Sequence, residues 1–409
     1  MLKRVVVTGM AGLSPIGNSW QDIAAHLKQQ KTGVCALPEW AQYQGLNTRL
    51  AAPVHFEKPA HYTRKQTRSM GRVAVLAIYA TELALQQAEL FNHPVLKSGQ
   101  VGIAYGSCAG SLEATTEFGN MLLNHAVNGL NATSYIRMMS HTAAVNIGLF
   151  FGINGRVYPT SSACTSGSQG IGYAYEAIKH GLQTIMIAGG AEELSPADAA
   201  VFDTLFATSL RNDSPSQTPR PFDRDRDGLV IGEGACTFVL EELHHAQARG
   251  APIYAEVIGF GTNSDGIHVT QPDSGMMQVA IQLALHDANI SANEIGYISA
   301  HGTATGHGDI AESHATSAVF GTCVPISALK SYTGHTLGAC GALEAWVAIE
   351  MMNEGWFHAT ANLNNVDPAC AELDYIKGDI RQIQCDYVMS NNFAFGGINT
   401  SLIFKRWEY

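Results

Sequence analysis

Residues 161–181 read SSACTSGSQGIGYAYEAIKHG and residues 335–349 read HTLGACGALEAWVAI, and the two stretches are versions of one pattern. At an offset of 171, the run from Cys164 lies on the run from His335 with six identities in fifteen: Thr165/Thr336, Gly167/Gly338, Gly170/Gly341, Ala174/Ala345, Ala177/Ala348 and Ile178/Ile349. A chance alignment of glycines would supply about two or three. Weaker echoes pair VGIAYGS from Val101 with IGYISAH from Ile295, and VVVTGMAG near the start with EVIGFGTNSDG from Glu256. The echoes keep the same order, so the chain is read as two related halves, 1–250 and 251–409, meeting where ARGAPIYAEV offers a Gly/Pro break. Strand-like runs (Val5 to Thr8, Val101 to Ala104, Thr184 to Ala188, Tyr297 to Ala300) alternate with helical stretches (Gly71 to Phe91, Val279 to Ala288). That alternation makes the fold class α/β.

Within the first stretch, Ile171, Ala174, Tyr175 and Ile178 repeat at helical spacing from Gly170 onward, and Gly181 stands where a C-cap belongs. Cys164 then lies at a helix N-terminus, where unpaired N–H groups and the macrodipole lower a thiol's pKa and favour the nucleophilic thiolate. Taken alone, the cysteine suits buried packing as well as catalysis. If both halves fold alike, Cys164 and His335 begin equivalent helices and face one another across a pseudo-two-fold axis.

Bulk properties narrow the function. The 409 residues, 46% hydrophobic, suffice for a large core, and no apolar run reaches the ~18 residues of a membrane span. The start, MLKRVVVTGMAGLSPIG, has no cleavable export signal and reads as a strand entering a turn. Eight cysteines without a CxxC pair point to free thiols in a reducing cytoplasm and to no structural zinc. A formal net charge of −11 argues against nucleic-acid binding, so any acidic partner must dock on a local basic patch.

Three further segments combine reactive side chains with glycines: ISAHGTATGHGDIAE (298–312), ISALKSYTGHTLGACG (326–341) and SNNFAFGGINTSLIF (390–404). Singly, His301 suits a structural imidazole and Lys330 a solvated charge. His301 follows a strand, however, where functional groups of open α/β sheets collect. One cysteine and two histidines beside small residues, two of them repeat-related, are difficult to explain by packing alone.

Together with VVVTGMAGLSPIG and RPFDRDRDGLVIGEGA, these segments resemble, nearly end to end, the elongating β-ketoacyl-acyl-carrier-protein synthases, condensing enzymes of the thiolase superfamily. The resemblance implies a duplicated five-layered αβαβα architecture. It implies that Cys164 attacks an acyl thioester and holds the chain, with the backbone N–H groups of Cys164 and Phe395 as oxyanion hole. His301 and His335 would stabilise the enolate released from a malonyl thioester with carbon dioxide, their Nε2 donors aimed at developing negative charge. Lys330, linked to Glu344, would order the site, and no metal or redox cofactor would be needed. Thr303 and Thr305 would bind the phosphopantetheine arm, Phe393 and Phe395 would gate the pocket, and Asp309 and Glu312 would support the histidine loop. Arg64, Lys65, Arg68 and Arg211 would dock an acidic acyl carrier protein. The family's dimers imply either a homodimer or a heterodimer with a chain-length-factor-like partner, with residues around 110 to 140 at the interface.

The sequence departs from the family pattern at Gly306, usually proline, at His307, usually small, and at Ala394, usually glycine. Ala109 replaces a bulky aliphatic that guards the acyl pocket, which suggests long, rigid or aryl-capped chains, as in the ketosynthases of aryl polyene clusters. Three rivals fare worse. A non-catalytic chain-length partner would lack the cysteine. A nucleotide-binding oxidoreductase would need GxGxxG, absent here, and a degradative thiolase would need a second catalytic cysteine near the C-terminus, which NNFAFGGIN lacks.

Overall fold

The computed structural model describes residues 2–408, and its framework is one eleven-stranded sheet. The strands are β1 (Val5–Leu13), β2 (Val101–Gly106), β3 (Val157–Pro159), β4 (Ile185–Glu192), β5 (Gly234–Glu242), β6 (Ala255–Ser264), β7 (Tyr297–Ser299), β8 (Pro325–Ser327), β9 (Asp374–Tyr375), β10 (Tyr387–Ala394) and β11 (Ile398–Arg406). Across the sheet they run β9-β8-β7-β10-β11-β6-β1-β5-β4-β2-β3. Read outward from the central β6/β1 pair, β6-β11-β10-β7-β8 and β1-β5-β4-β2-β3 place their strands in the same chain order. They also share the same senses, two antiparallel pairings followed by two parallel ones. The sequence echoes thus fall on equivalent strands, β1 with β6 and β2 with β7.

Six helices complete the layers: α1 (Arg72–Gln87), α2 (Thr142–Phe151), α3 (Ser166–Lys179), α4 (Ser274–Ala288), α5 (Gly306–Phe320) and α6 (Cys340–Glu354). α1 and α2 cover the outside of the first half-sheet and α4 and α5 the outside of the second, while α3 and α6 pack on each other and on strands of both halves. This is the five-layered αβαβα arrangement of the resemblance. Most residues of α3 and α6 are buried, as expected for helices without a solvent face.

Small residues bring the layers together. The register of β1 slips at Gly9, where a Cβ would lie 2.3 Å from the Ala84 carbonyl oxygen of α1. The register of β6 slips at Gly259, where a Cβ would lie 2.5 Å from the Ala284 carbonyl oxygen of α4. At the crossing of α3 and α6, a Cβ on Gly167 would lie 2.9 Å from the Gly338 carbonyl oxygen, and one on Gly341 would lie 2.8 Å from the Ser168 nitrogen. The repeat glycines are therefore contact points between the central segments.

Two local expectations need correction. α3 begins at Ser166, four residues before the apolar periodicity, because Ser166 and Ser168 donate to the Ala163 and Thr165 carbonyls and so satisfy a small polar turn inside the core. His335 does not abut its helix, because a 3₁₀ turn, Leu337–Ala339, separates it from α6. Gly181 does close α3, one residue past the cap, at φ +73°. No helix among the described residues is long and apolar enough to cross a membrane.

The Gly341 contacts yield a prediction. Gly341→Val should lower stability by roughly 1–3 kcal/mol through overpacking, read as an earlier urea unfolding midpoint with unchanged m-value, whereas valine at Gly119, which lies in the helix Leu112–Asn124 and where a Cβ meets nothing within 4 Å, should not overpack anything.

Candidate active site

Cys164 and His335 are aimed by the same backbone device. The residue before each lies in the left-handed region, Ala163 at φ +50° and Gly334 at φ +62°, and the two positions correspond in the repeat. Alanine there costs about 1–2 kcal/mol relative to the right-handed form. Backbone hydrogen bonds then fix His335, whose N–H donates to the Val230 carbonyl at 2.7 Å and whose carbonyl accepts from Gly232 at 2.9 Å. Its Nε2 lies 2.9 Å from Cys164 Sγ. Nδ1 accepts the Leu337 N–H at 3.2 Å, so in the neutral ring the proton is on Nε2, facing the sulfur.

His301 emerges from the end of β7, where its own N–H and that of Gly302 each donate to the Glu312 carboxylate at 2.7 Å. Its ring stands 5.3 Å from that of His335 at 87°. Lys330 donates to His301 Nδ1 at 3.1 Å, to the His301 carbonyl at 2.7 Å and to Glu344 at 2.5 Å, so the three ammonium protons have three partners. The other Glu344 oxygen accepts from Asn392 Nδ2 at 2.6 Å, and that amide also approaches His301 Nδ1 at 3.3 Å. With a cation donating to Nδ1, His301 also carries its ring proton on Nε2.

Electrostatics keeps both imidazoles uncharged. Burial and the Lys330 cation push the pKa values of His301 and His335 well below the ordinary histidine value, and the neighbouring His335 adds to the effect on His301. Burial works against the Lys330 ammonium, but nearby thiols and Glu344 outweigh it, so its pKa is raised. The Cys164 thiol corrects the sequence expectation. Burial pushes it up to about 11, although Lys330 and hydrogen bonds from the backbone N–H groups of Phe395 and Cys164 itself pull the other way. Desolvation therefore outweighs the N-terminal advantage.

The donor atoms of Cys164, His301 and His335 lie within 4.8 Å of one another, a spacing that would suit a metal ion. The surrounding hydrogen bonds have the wrong sense for one. A metal bound at Nε2 needs its proton on Nδ1, donated outward, whereas both Nδ1 atoms here accept from an amide or an ammonium.

Cys164 lines a cavity of about 580 Å³ whose wall includes His301, His335, Phe393 and Phe395. Thr303 and Thr305 also line it, with hydroxyls 2.9 Å apart, and so do Gly306 and His307. Phe395 packs on Phe202 at 5.2 Å between ring centroids. Asp309 accepts from the Phe222 N–H at 2.7 Å and from the Ala304 N–H at 3.1 Å, which fixes the loop where Ala304 takes φ +63°. Asp309 and Glu312 thus act on backbone.

Other expected residues lie elsewhere. Ala109 is not on this cavity wall, and its amide donates to Glu192 at 3.3 Å. Arg64, Lys65 and Arg68 are exposed on a short helical turn and do not line the cavity, while Arg211 is paired with Asp227, which does. Sequence reasoning missed Asn392 and Glu192. The polar run Ser390–Asn392 between Met389 and Phe393, inside a buried strand, was a usable signal. Glu192 ends β4 and gathers the N–H groups of Cys108, Ala109 and Gly338 around one buried carboxylate, a role that only the fold shows.

A buried thiol with a pKa near 11 should alkylate slowly at neutral pH. The iodoacetamide rate at Cys164 should climb about tenfold per pH unit from 7 to 9, as the thiolate fraction does, and Lys330→Ala should lower it further because the cation favours the thiolate. A rate that is flat above pH 7 would contradict this ordering of effects.

Comparison with known proteins agrees with this geometry. Residues 2–246 match the N-terminal domain and residues 254–364 the C-terminal domain of β-ketoacyl synthases. A 3-oxoacyl-[acyl-carrier-protein] synthase 2 from Vibrio cholerae is 36% identical over 413 residues, covering 99% of each chain. The crystal structure of a β-ketoacyl synthase from Burkholderia phymatum superposes with a TM-score of 0.98 at 58% identity, covering 99% of this chain and 100% of that one. A ketosynthase bound to a hexaketide and in complex with its type II polyketide acyl-carrier protein superposes at 0.87 with 29% identity over the whole of both chains. The chain belongs to the β-ketoacyl synthase family.

Proposed function

We propose that the protein is a 3-oxoacyl-acyl-carrier-protein synthase that joins an acyl chain held on Cys164 to the two-carbon unit of a malonyl carrier. The single observation that carries this reading is the pair of Nε2–H donors, both locked by their Nδ1 partners and both within reach of Cys164.

The chemistry follows from those atoms. The Cys164 sulfur gives up its proton and attacks the acyl thioester carbonyl. The oxyanion lies between the backbone N–H groups of Cys164 and Phe395, and the carrier thiol leaves with a proton. Malonyl thioester then enters the same cavity. Its C–C bond to the carboxylate breaks, carbon dioxide departs, and the electron pair becomes an enolate whose oxygen accepts from Nε2 of His301 and His335. The enolate carbon attacks the acyl-enzyme carbonyl, the C–S bond breaks with its electron pair left on sulfur, 3-oxoacyl carrier is released, and the Cys164 thiolate takes up a proton from solvent. Neutral donors suit this role because a carboxylate there would repel the enolate. Decarboxylation supplies the electron pair, so the scheme requires no metal or redox cofactor.

Lys330 and Glu344 act as positioning residues, and Thr303 and Thr305 would hold the phosphopantetheine arm. Exposed Leu122, Leu123, Val127 and Leu149 support assembly of this half against a second ketosynthase-like chain, either identical or of chain-length-factor type. Acceptance of rigid or aryl-capped acyl chains, in the cytoplasm where carriers are loaded, is part of this proposal and rests on the sequence resemblance alone, since Ala109 does not line the cavity.

Intact-mass analysis tests the reading. Wild type incubated with saturated, polyenoic and aryl-capped acyl carriers should gain an acyl adduct that malonyl carrier discharges, and Cys164→Ala should gain none. His301→Ala should still acylate but lose about 10²–10³ in discharge rate, the effect of one missing oxyanion donor. Absence of an adduct with every donor would refute the enzymatic reading, and adducts from saturated chains alone would refute the aryl-chain specificity.

A further inference from the structure

We infer that a crevice at the far end of α6 from the catalytic residues binds a small organic ammonium ion, a reading independent of the condensing chemistry above. The crevice has a volume of about 360 Å³ and lies between β1, α1, α6 and the segment 18–21, with Trp20, Trp346, Tyr254, Asn18 and Glu350 in its wall. It shares no wall residue with the Cys164 cavity. Only α6 reaches from one to the other. Cys340, whose thiol donates to the Cys164 carbonyl at 3.2 Å, opens that helix, and Glu350 stands three turns further on, about 15 Å along the axis.

The end of α6 carries the same device twice, a glutamate that accepts from tryptophan indoles. Glu354 accepts from Trp20 Nε1 at 2.6 Å and from Trp356 Nε1 at 2.5 Å. A cation completes this unit: the Lys28 ammonium lies 3.7 Å from Glu354 and 4.4 Å from the centre of the Trp356 ring, which stacks on Trp20. One turn earlier, Glu350 accepts from Trp346 Nε1 at 3.1 Å, and among the described residues no basic side chain pairs with it. The two carboxyls titrate accordingly. Burial works against the Glu354 carboxylate, yet its indole partners and Lys28 hold it below the ordinary value. Burial pushes Glu350 up to about 7, and the single Trp346 hydrogen bond does not offset it. A cation beside Glu350 would therefore do there what Lys28 does at Glu354.

The wall also selects the class of cation. A metal ion needs more hard ligands than one carboxylate and one amide oxygen, and the side-chain groups spaced to hold one all lie at the active site among the described residues. Two indoles and a phenol favour instead a diffuse charge with an apolar skin, as in an alkylammonium. Asn18 adds a polar handle: its Nδ2 donates to the His55 carbonyl at 2.9 Å, while its Oδ1 is buried without a hydrogen-bond partner. That oxygen is an acceptor for a hydroxyl or N–H on the ligand. Choline combines the two features, a trimethylammonium head and one hydroxyl, and so serves as the probe.

The test titrates the full-length protein at pH 8 with choline chloride and with 3,3-dimethylbutan-1-ol, its neutral carbon isostere, at ionic strength held constant with sodium chloride. Binding is read by calorimetry and by tryptophan fluorescence. Choline should bind with a Kd of about 1 mM or below, within reach of so small a ligand, and the isostere at least about tenfold more weakly, since only the cation gains from the carboxylate and the ring faces. Glu350→Gln should weaken choline binding about tenfold and leave the isostere within about twofold, whereas Glu354→Gln should change neither by more than about twofold. Equal affinity for choline and its isostere, a comparison that needs no variant, would make the crevice merely apolar and overturn the inference. A loss in Glu354→Gln without one in Glu350→Gln would place the cation on the outer indole pair and overturn it as well. So would the absence of heat and of any fluorescence change at choline concentrations about tenfold above the expected Kd.

Discussion

The buried ammonium of Lys330 is the interaction on which the rest of the site depends. A cation taken out of water is tolerated only when its hydrogen bonds are complete, and here three protons meet Glu344, the His301 carbonyl and His301 Nδ1. These contacts join three segments distant in the chain: the loop after β7, the turn after β8, and α6. They also decide chemistry at one remove. By donating to Nδ1, Lys330 fixes the tautomer of His301, lowers its basicity and leaves Nε2–H facing the cavity. His335 reaches the same state by another route, through the Leu337 amide. Two unlike partners thus produce two like donors.

The duplication explains why the donors and the nucleophile converge. A half-sheet of this topology places the loops after its parallel strands at one edge of the central layer, and two such halves related by a pseudo-two-fold axis bring those edges together. Cys164 and His335 are repeat-equivalent, each following a left-handed residue, yet one became a thiol and the other an imidazole. The helices behind them can approach because the repeat retained glycine at the contact points, where side-chain atoms would strike backbone. Ala163 keeps a left-handed conformation without being glycine, so backbone strain is held at the residue that aims Cys164.

Much of this was legible in the residues. The offset of 171 disclosed the duplication, and the β1/β6 and β2/β7 echoes fell on equivalent strands. Cys164, His301 and His335 stood out because each lies beside small residues, Lys330 came in through the family resemblance, and the structure brings all four together. The start of α3 was not legible, because serines and glycines packed between sheets have no apolar periodicity to detect. Nor was the thiol's high pKa: helix position can be read from sequence, but the depth of burial that outweighs it depends on every layer at once. Asn392 and Glu192 escaped for a related reason, since each joins backbone or side chains far apart in the chain. Charged residues were the poorest guide. The arginine that seemed free for a partner, Arg211, is held by a nearby aspartate, while apolar Phe206 faces the water.

The account's central claim is that both active-site histidines are neutral Nε2–H tautomers at working pH. Nitrogen-15 NMR of histidine-labelled protein, with His301→Asn and His335→Asn to assign the two rings, tests it most directly. The account predicts protonated Nε2 and bare Nδ1 for both rings from pH 6 to 9. Detection of an imidazolium, or of a proton on Nδ1 in either ring, would contradict it.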